Sequence, residues 1–172
     1  MTVAGVLALS PAPKPPPMTL SVLVLALHAL ATFAMCGIVW FVQLVHYPLM
    51  HHVDREDTYF IKNARQTGWV VVPLMLVEIF TGFLLILNDV RPEYIPSWVT
   101  GLGMILIAAI WLITFYRQVP RHQILIQCRY NGKVVDALVR INWGRTVLWT
   151  LRAIGVAIFL FLGLTGAVAP EV

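Results

Sequence analysis

TLSVLVLALHALATFAMCGIVWFVQLVHY, residues 19–47, contains two histidines but no aspartate, glutamate, lysine or arginine. As a helix it reaches about 43 Å at 1.5 Å per residue, more than a hydrocarbon core of ~30 Å requires. Three further apolar runs of sufficient length follow at 67–88, 98–116 and 146–168. None alternates polar with apolar residues, as the strands of a membrane barrel would. The whole chain agrees: of its 172 residues 59% are hydrophobic and 12% are charged, against about a quarter charged in a soluble domain. The reading is an all-α integral membrane four-helix bundle, residues 19–168, with one domain and no internal repeat.

Charge placement sets an expected orientation. Arg55, Lys62 and Arg65 lie between the first two runs, and Arg117, Arg121, Arg129, Lys133, Arg140 and Arg145 between the last two. Lys14 and Arg91 fall on the opposite side, and Arg152 lies inside the fourth run. Both basic loops are therefore expected in the cytoplasm and both termini outside. The same asymmetry accounts for the pI near 9.4, so the charge points to anionic lipid headgroups and not to nucleic acid. Residues 1–18, with PAPKPPP, read as a loose Pro-rich tail. The tail lacks the basic start and longer apolar core of a signal peptide, and Met18 is a candidate initiator. The inner connection over 117–145 alternates apolar and basic residues around an Asn131-Gly132 turn. It is expected to lie on the cytoplasmic face as two amphipathic pieces.

A polar side chain within a span costs several kcal/mol unless it is partnered or hydrated, so such residues carry the information. In the first helix His28, Thr32, Cys36, Val39, Gln43 and His46 recur every 3.6 residues on average and share an inward face. Glu78 sits about three turns from the cytoplasmic end of the second helix. Asn142, Arg145, Thr146, Trp149 and Arg152 share a face of the fourth, with Arg152 near the depth of Glu78. The two ionisable residues are expected to pair, because an unpaired guanidinium cannot shed its charge. Such a pair serves either to lock helices together or as a proton or anion site.

His51 and His52 follow Pro48, where the helix is expected to break away into water. His46 is the inward histidine and a candidate haem or metal ligand, the metal with His51 or His122. Trp40, Phe41, Trp111 and Trp149 are candidate walls for haem b. His28 and His46, about 27 Å apart along the helix, cannot hold one metal together. Cys36 and Cys128 are too separated for a disulfide, and no CxxC, GxGxxG, GxSxG, HExxH or Walker pattern occurs.

HYPLM before a charged segment, VVVPLMLVEIFTG, and NWGRTVLWTLR together resemble a group of small bacterial four-helix membrane proteins. That group is similar to the anthrone-oxygenase-like family. The likeness spans roughly residues 20–160 and rests on His46, Pro48, Arg65, Pro73, Glu78, Asn142, Arg145, Thr146 and Arg152. It implies the fold, the bacterial cytoplasmic membrane and, from the fungal members, oxygenation of a polycyclic aromatic without an obvious cofactor. A fainter likeness, through His28 and the G-x-V-W-F-x-Q run at 37–43, is to the HemJ-type protoporphyrinogen oxidases, in which a first-helix histidine binds haem. The arginine of that family corresponds most nearly to Gln43, which weighs against porphyrin oxidation.

Two functional readings follow. The first is a site in the cytoplasmic half of the bundle for an aromatic, quinone-like or porphyrin molecule, held by Gln43, His46, Glu78, Arg145 and Arg152, with His28, Asn142 and Trp149 contributing. Glu78 or His46 would move protons, and Arg145 or Arg152 would stabilise an oxyanion. The second is a non-catalytic accessory subunit of a larger membrane complex, in which the same residues lock helices.

Overall fold

The computed structural model describes residues 19–53, 58–128 and 130–166, without the Cys128 side chain. The tail expected over 1–18 lies outside these residues, as do Arg55 and Arg129. The described residues form helices and turns only. Four helical rods are long and apolar enough to cross a membrane: α1 Leu20–His52, α2 Tyr59–Leu84, α3 Ser97–Gln127 and α4 Gly132–Thr165. α1 packs against α2 and α4, and α3 closes the ring opposite α1, more closely against α4 than against α2. This is the up-down arrangement that short connections impose.

Local chemistry explains the ends. Thr19 caps α1, its hydroxyl accepting from the Val22 N–H at 3.4 Å. Asn131 caps α4 in the same way through the Val134 N–H at 3.3 Å, so the Asn-Gly pair read as a turn is where α4 starts. Gly166, at φ 60°, adopts the left-handed conformation that ends α4.

The structure corrects the lengths. With 33, 31 and 34 residues, α1, α3 and α4 run to about 46–51 Å, well beyond a ~30 Å core. Residues 117–145 do not lie flat as two separate pieces. They stand as continuations of α3 and α4 and enclose a small core of Val42, Tyr47, Met50, Phe60, Leu125, Val135 and Leu138. That apolar packing is what raises them, since each continuation buries its apolar stripe against the others. The end carrying this core is the basic end, and the opposite end carries the 85–96 connection.

Pro48 does not end α1, which continues helically to His52. The break is replaced by a widened i→i+5 turn over Val42–His46. α3 has the same device over Thr114–Gln118. Each wide turn ends two residues before a proline, Pro48 or Pro120. A proline lacks the N–H that the carbonyl four residues earlier would accept, and its ring crowds that carbonyl. Widening the preceding turn relieves both problems.

Candidate functional site

The polar residues expected at one level occupy two. Asn142 and Arg152 lie ten residues apart on α4, about 15 Å along the axis. Between their levels is an apolar layer of Met35, Val39, Met75, Ile110 and Trp149.

The first level lies towards the 85–96 end and centres on Glu78, 1% exposed, and Arg152, 5% exposed. Arg152 Nη2 stands 2.8 Å from Glu78 Oε1, and Arg152 Nε donates to the same oxygen at 3.0 Å. The Thr32 hydroxyl donates to it as well, at 2.9 Å. The expected pair is therefore formed, but in the half of the bundle away from the basic loops. This follows from the long inner ends of α1 and α4: apolar length alone could not show where the uncharged runs sit within longer helices.

His28 completes this level. Its Nδ1 lies 2.9 Å from Thr81 Oγ1, and its Nε2 3.1 Å from Arg152 Nη2. Thr81 spends its own hydroxyl proton on the Val77 carbonyl at 2.7 Å, so it must accept from His28. This assigns His28 as the neutral Nδ1–H tautomer, with Nε2 accepting from the guanidinium. Arg152 Nη1 donates to the Gly103 carbonyl. Four of the five guanidinium hydrogens are then engaged, and one on Nη1 remains uncommitted.

An apolar groove of about 210 Å³ reaches this network. It opens sideways between α3 and α4, where Trp98, Leu102 and Leu151 face outwards. Its only ionisable lining residues are His28 and Arg152. Glycines bring the walls close. A Cβ on Gly82 would lie 3.0 Å from Ile107 Cδ1, 3.1 Å from Met104 Sδ and 3.3 Å from His28 Cε1. Gly82→Ala is therefore expected to displace His28 and to cost about 1–3 kcal/mol through overpacking. A thermal melt of the purified variant measures this, and an unchanged midpoint would show that the neighbours simply move aside.

The second level lies nearer the basic end. Asn142 is its hub: Nδ2 donates to Gln43 Oε1 at 3.0 Å, and Oδ1 accepts from Gln118 Nε2 and Arg145 Nη1, each at 3.2 Å. Gln43 Nε2 donates to the Val139 carbonyl at 3.2 Å. Tyr47 and His122 join here, the phenol oxygen 3.0 Å from His122 Nε2. No pattern in the sequence singles out Tyr47 or joins it to His122. The indirect signal is Pro48, because the wide turn before it brings Tyr47 to the inward line.

His46, the expected inward histidine, is left half-buried with its ring against Phe41. Trp40 and Phe41 face outwards, Trp40 edge-on to Trp143. Trp149 is wholly buried in the apolar layer, 6.0 Å from the Arg152 guanidinium carbon. Of the walls expected beside His46, Trp40 and Trp149 are thus turned away from it, and both ring nitrogens of His28 are engaged. The residues present do not fit haem. Among the described residues no three His, Cys, Asp or Glu side chains converge as metal ligands. His122 is turned to Tyr47, and His51 to Asp136 at 3.1 Å and Tyr130 at 3.1 Å.

The chain was compared with protein-family models, with curated proteins and with solved structures, and none of the three comparisons finds a match.

Proposed function

We propose that this is a multi-pass protein of the bacterial cytoplasmic membrane that binds a lipophilic carbonyl or phenol, quinone-like in size, in the groove beside Arg152. The observation that carries the reading is the pairing of an apolar, laterally open groove with a single charged lining residue that retains one uncommitted N–H. A ligand arriving through lipid would enter between α3 and α4 and leave its apolar tail along Leu102 and Leu151. Its oxygen would accept from Arg152 Nη1. The guanidinium is held in place by Glu78, and in an apolar groove such a fixed donor stabilises negative charge developing on the ligand oxygen. His28 is the other ionisable group on the groove wall, with both ring nitrogens already bonded, and Glu78 is not on that wall but holds the guanidinium. About 210 Å³ is below the usual 300–1,000 Å³ of a small-molecule pocket, so it suits one or two rings, not a macrocycle.

Trp98 lines the groove, which gives the test. In a detergent-solubilised preparation, a naphthoquinone is expected to quench tryptophan emission saturably. Gly155→Leu, placed where the glycine has open space beside it, fills the groove and should weaken binding at least about tenfold. Linear, non-saturating quenching that is the same in both proteins would leave only partitioning into the micelle and sink the proposal.

In this reading the basic end faces the cytoplasm and anionic headgroups. The accessory-subunit alternative draws on the near-complete satisfaction of the Glu78–Arg152–His28 network, which a packing lock requires equally. It expects stoichiometric co-purification with larger subunits and no saturable quinone binding.

A further inference from the structure

The two buried arginines of α4 are treated differently. Arg152 has a carboxylate at 2.8 Å. Arg145 is 7% exposed, yet its hydrogen bond to Asn142 Oδ1 reaches only a neutral amide. Its Nε is buried with no acceptor, and the Tyr47 hydroxyl lies against the group. Among the described residues no carboxylate stands within ion-pair distance of it. A guanidinium cannot neutralise itself by losing a proton, so a buried one with no carboxylate beside it among the described residues suits a counter-charge brought by a ligand.

The surroundings point the same way. The indole N–H groups of Trp149, one turn along α4, and Trp111 of α3 are also buried without acceptors, and among the described residues Gln118 Oε1 is the one buried side-chain acceptor without a partner. Unmet donors therefore outnumber unmet acceptors. Tyr47 and Gln118, which flank Arg145 and its hub Asn142, are both positioned by the widened turns, a feature common at functional sites. His46 and Arg145 both lie close enough to His122 for their charges to act on it. Arg145 also stands where α4 passes from its charged segment into the run that begins at Thr146, with Arg117 and Arg140 exposed on the same end of the bundle. With the run from Thr146 to Thr165 taken as crossing a ~30 Å core, Arg145 falls at the level of phospholipid phosphates.

We infer that Arg145, with the Tyr47 hydroxyl and His122 beside it, forms an oxyanion site that takes a phosphate group at the basic end of the bundle. The phosphate belongs either to a phospholipid headgroup or to a free anion. The site is separate from the groove, on the other side of the Trp149 layer.

The test is a thermal melt of delipidated protein in a maltoside detergent, with ionic strength held constant by chloride. One arm adds inorganic phosphate and the other phosphatidylglycerol. Above half-saturation the midpoint is expected to rise by roughly 3–6 °C per tenfold increase in the bound species. A response to the lipid alone identifies a headgroup site, and a response to inorganic phosphate identifies a free-anion site. Arg145→Gln should abolish either response. Asn142→Asp keeps the arginine and places a carboxylate where Oδ1 now lies 3.2 Å from it, so it too should abolish the response, and it carries the test should Arg145→Gln not fold. No response to either species, or an undiminished response in a folded variant, overturns the inference.

Discussion

Glu78→Gln and Arg152→Gln are each expected to destabilise the protein by about 3–5 kcal/mol, and the double variant by clearly less than the sum. The reason is the difference between breaking a buried pair and removing it. Either single change leaves one full charge without its partner, and that desolvated charge accounts for most of the loss. The double change leaves two amides that can still hydrogen bond. Arg152→Gln additionally strips His28 Nε2 and the Gly103 carbonyl of their donors, so it should be the worse of the two. Unfolding in mixed micelles, followed by circular dichroism, provides the cycle. Additive losses would mean that the two side chains do not interact.

Asn142→Leu is expected to be comparably damaging, at about 3 kcal/mol or more, although no charge is lost. The amide serves Gln43, Gln118 and Arg145 at once. A leucine of similar volume strands all three, each at about 1–3 kcal/mol. Asn142→Asp restores the acceptor for Gln118 and Arg145 and should recover part of the stability. If Asn142→Leu unfolds at the midpoint of the native protein, the three partners have other acceptors and donors and the hub is not one.

Much of this is legible in the sequence. The uncharged runs gave four spans because nothing else accommodates such length in apolar residues, and the pairing of Glu78 with Arg152 followed from the cost of leaving either alone. His28, Thr32 and Gln43 were placed inward by helical phase, and all three are buried. His46 was not, because the same counting assumed a regular helix, and the wide turn before Pro48 shifts every later position. The separation into two levels was hidden for a related reason. Depth was counted from the edges of apolar runs, whereas three of the helices continue past them and pack a core of their own. The groove has no sequence signature, since Gly82, Gly103 and Gly155, which lie along it, fall on three different helices and form no local pattern. Tyr47 and His122 are 75 residues apart, and no local pattern joins them.

The layer of Met35, Val39, Met75, Ile110 and Trp149 has a consequence of its own. It acts as a septum. A proton or ion moving through the bundle needs a chain of polar groups or water, and here the chain is interrupted by sulfur, hydrocarbon and an indole wedge. The Glu78–Arg152 network is thereby separated from Arg145 by a layer of apolar side chains. Trp149 is the largest fully buried side chain, and any path from one polar level to the other would have to displace it.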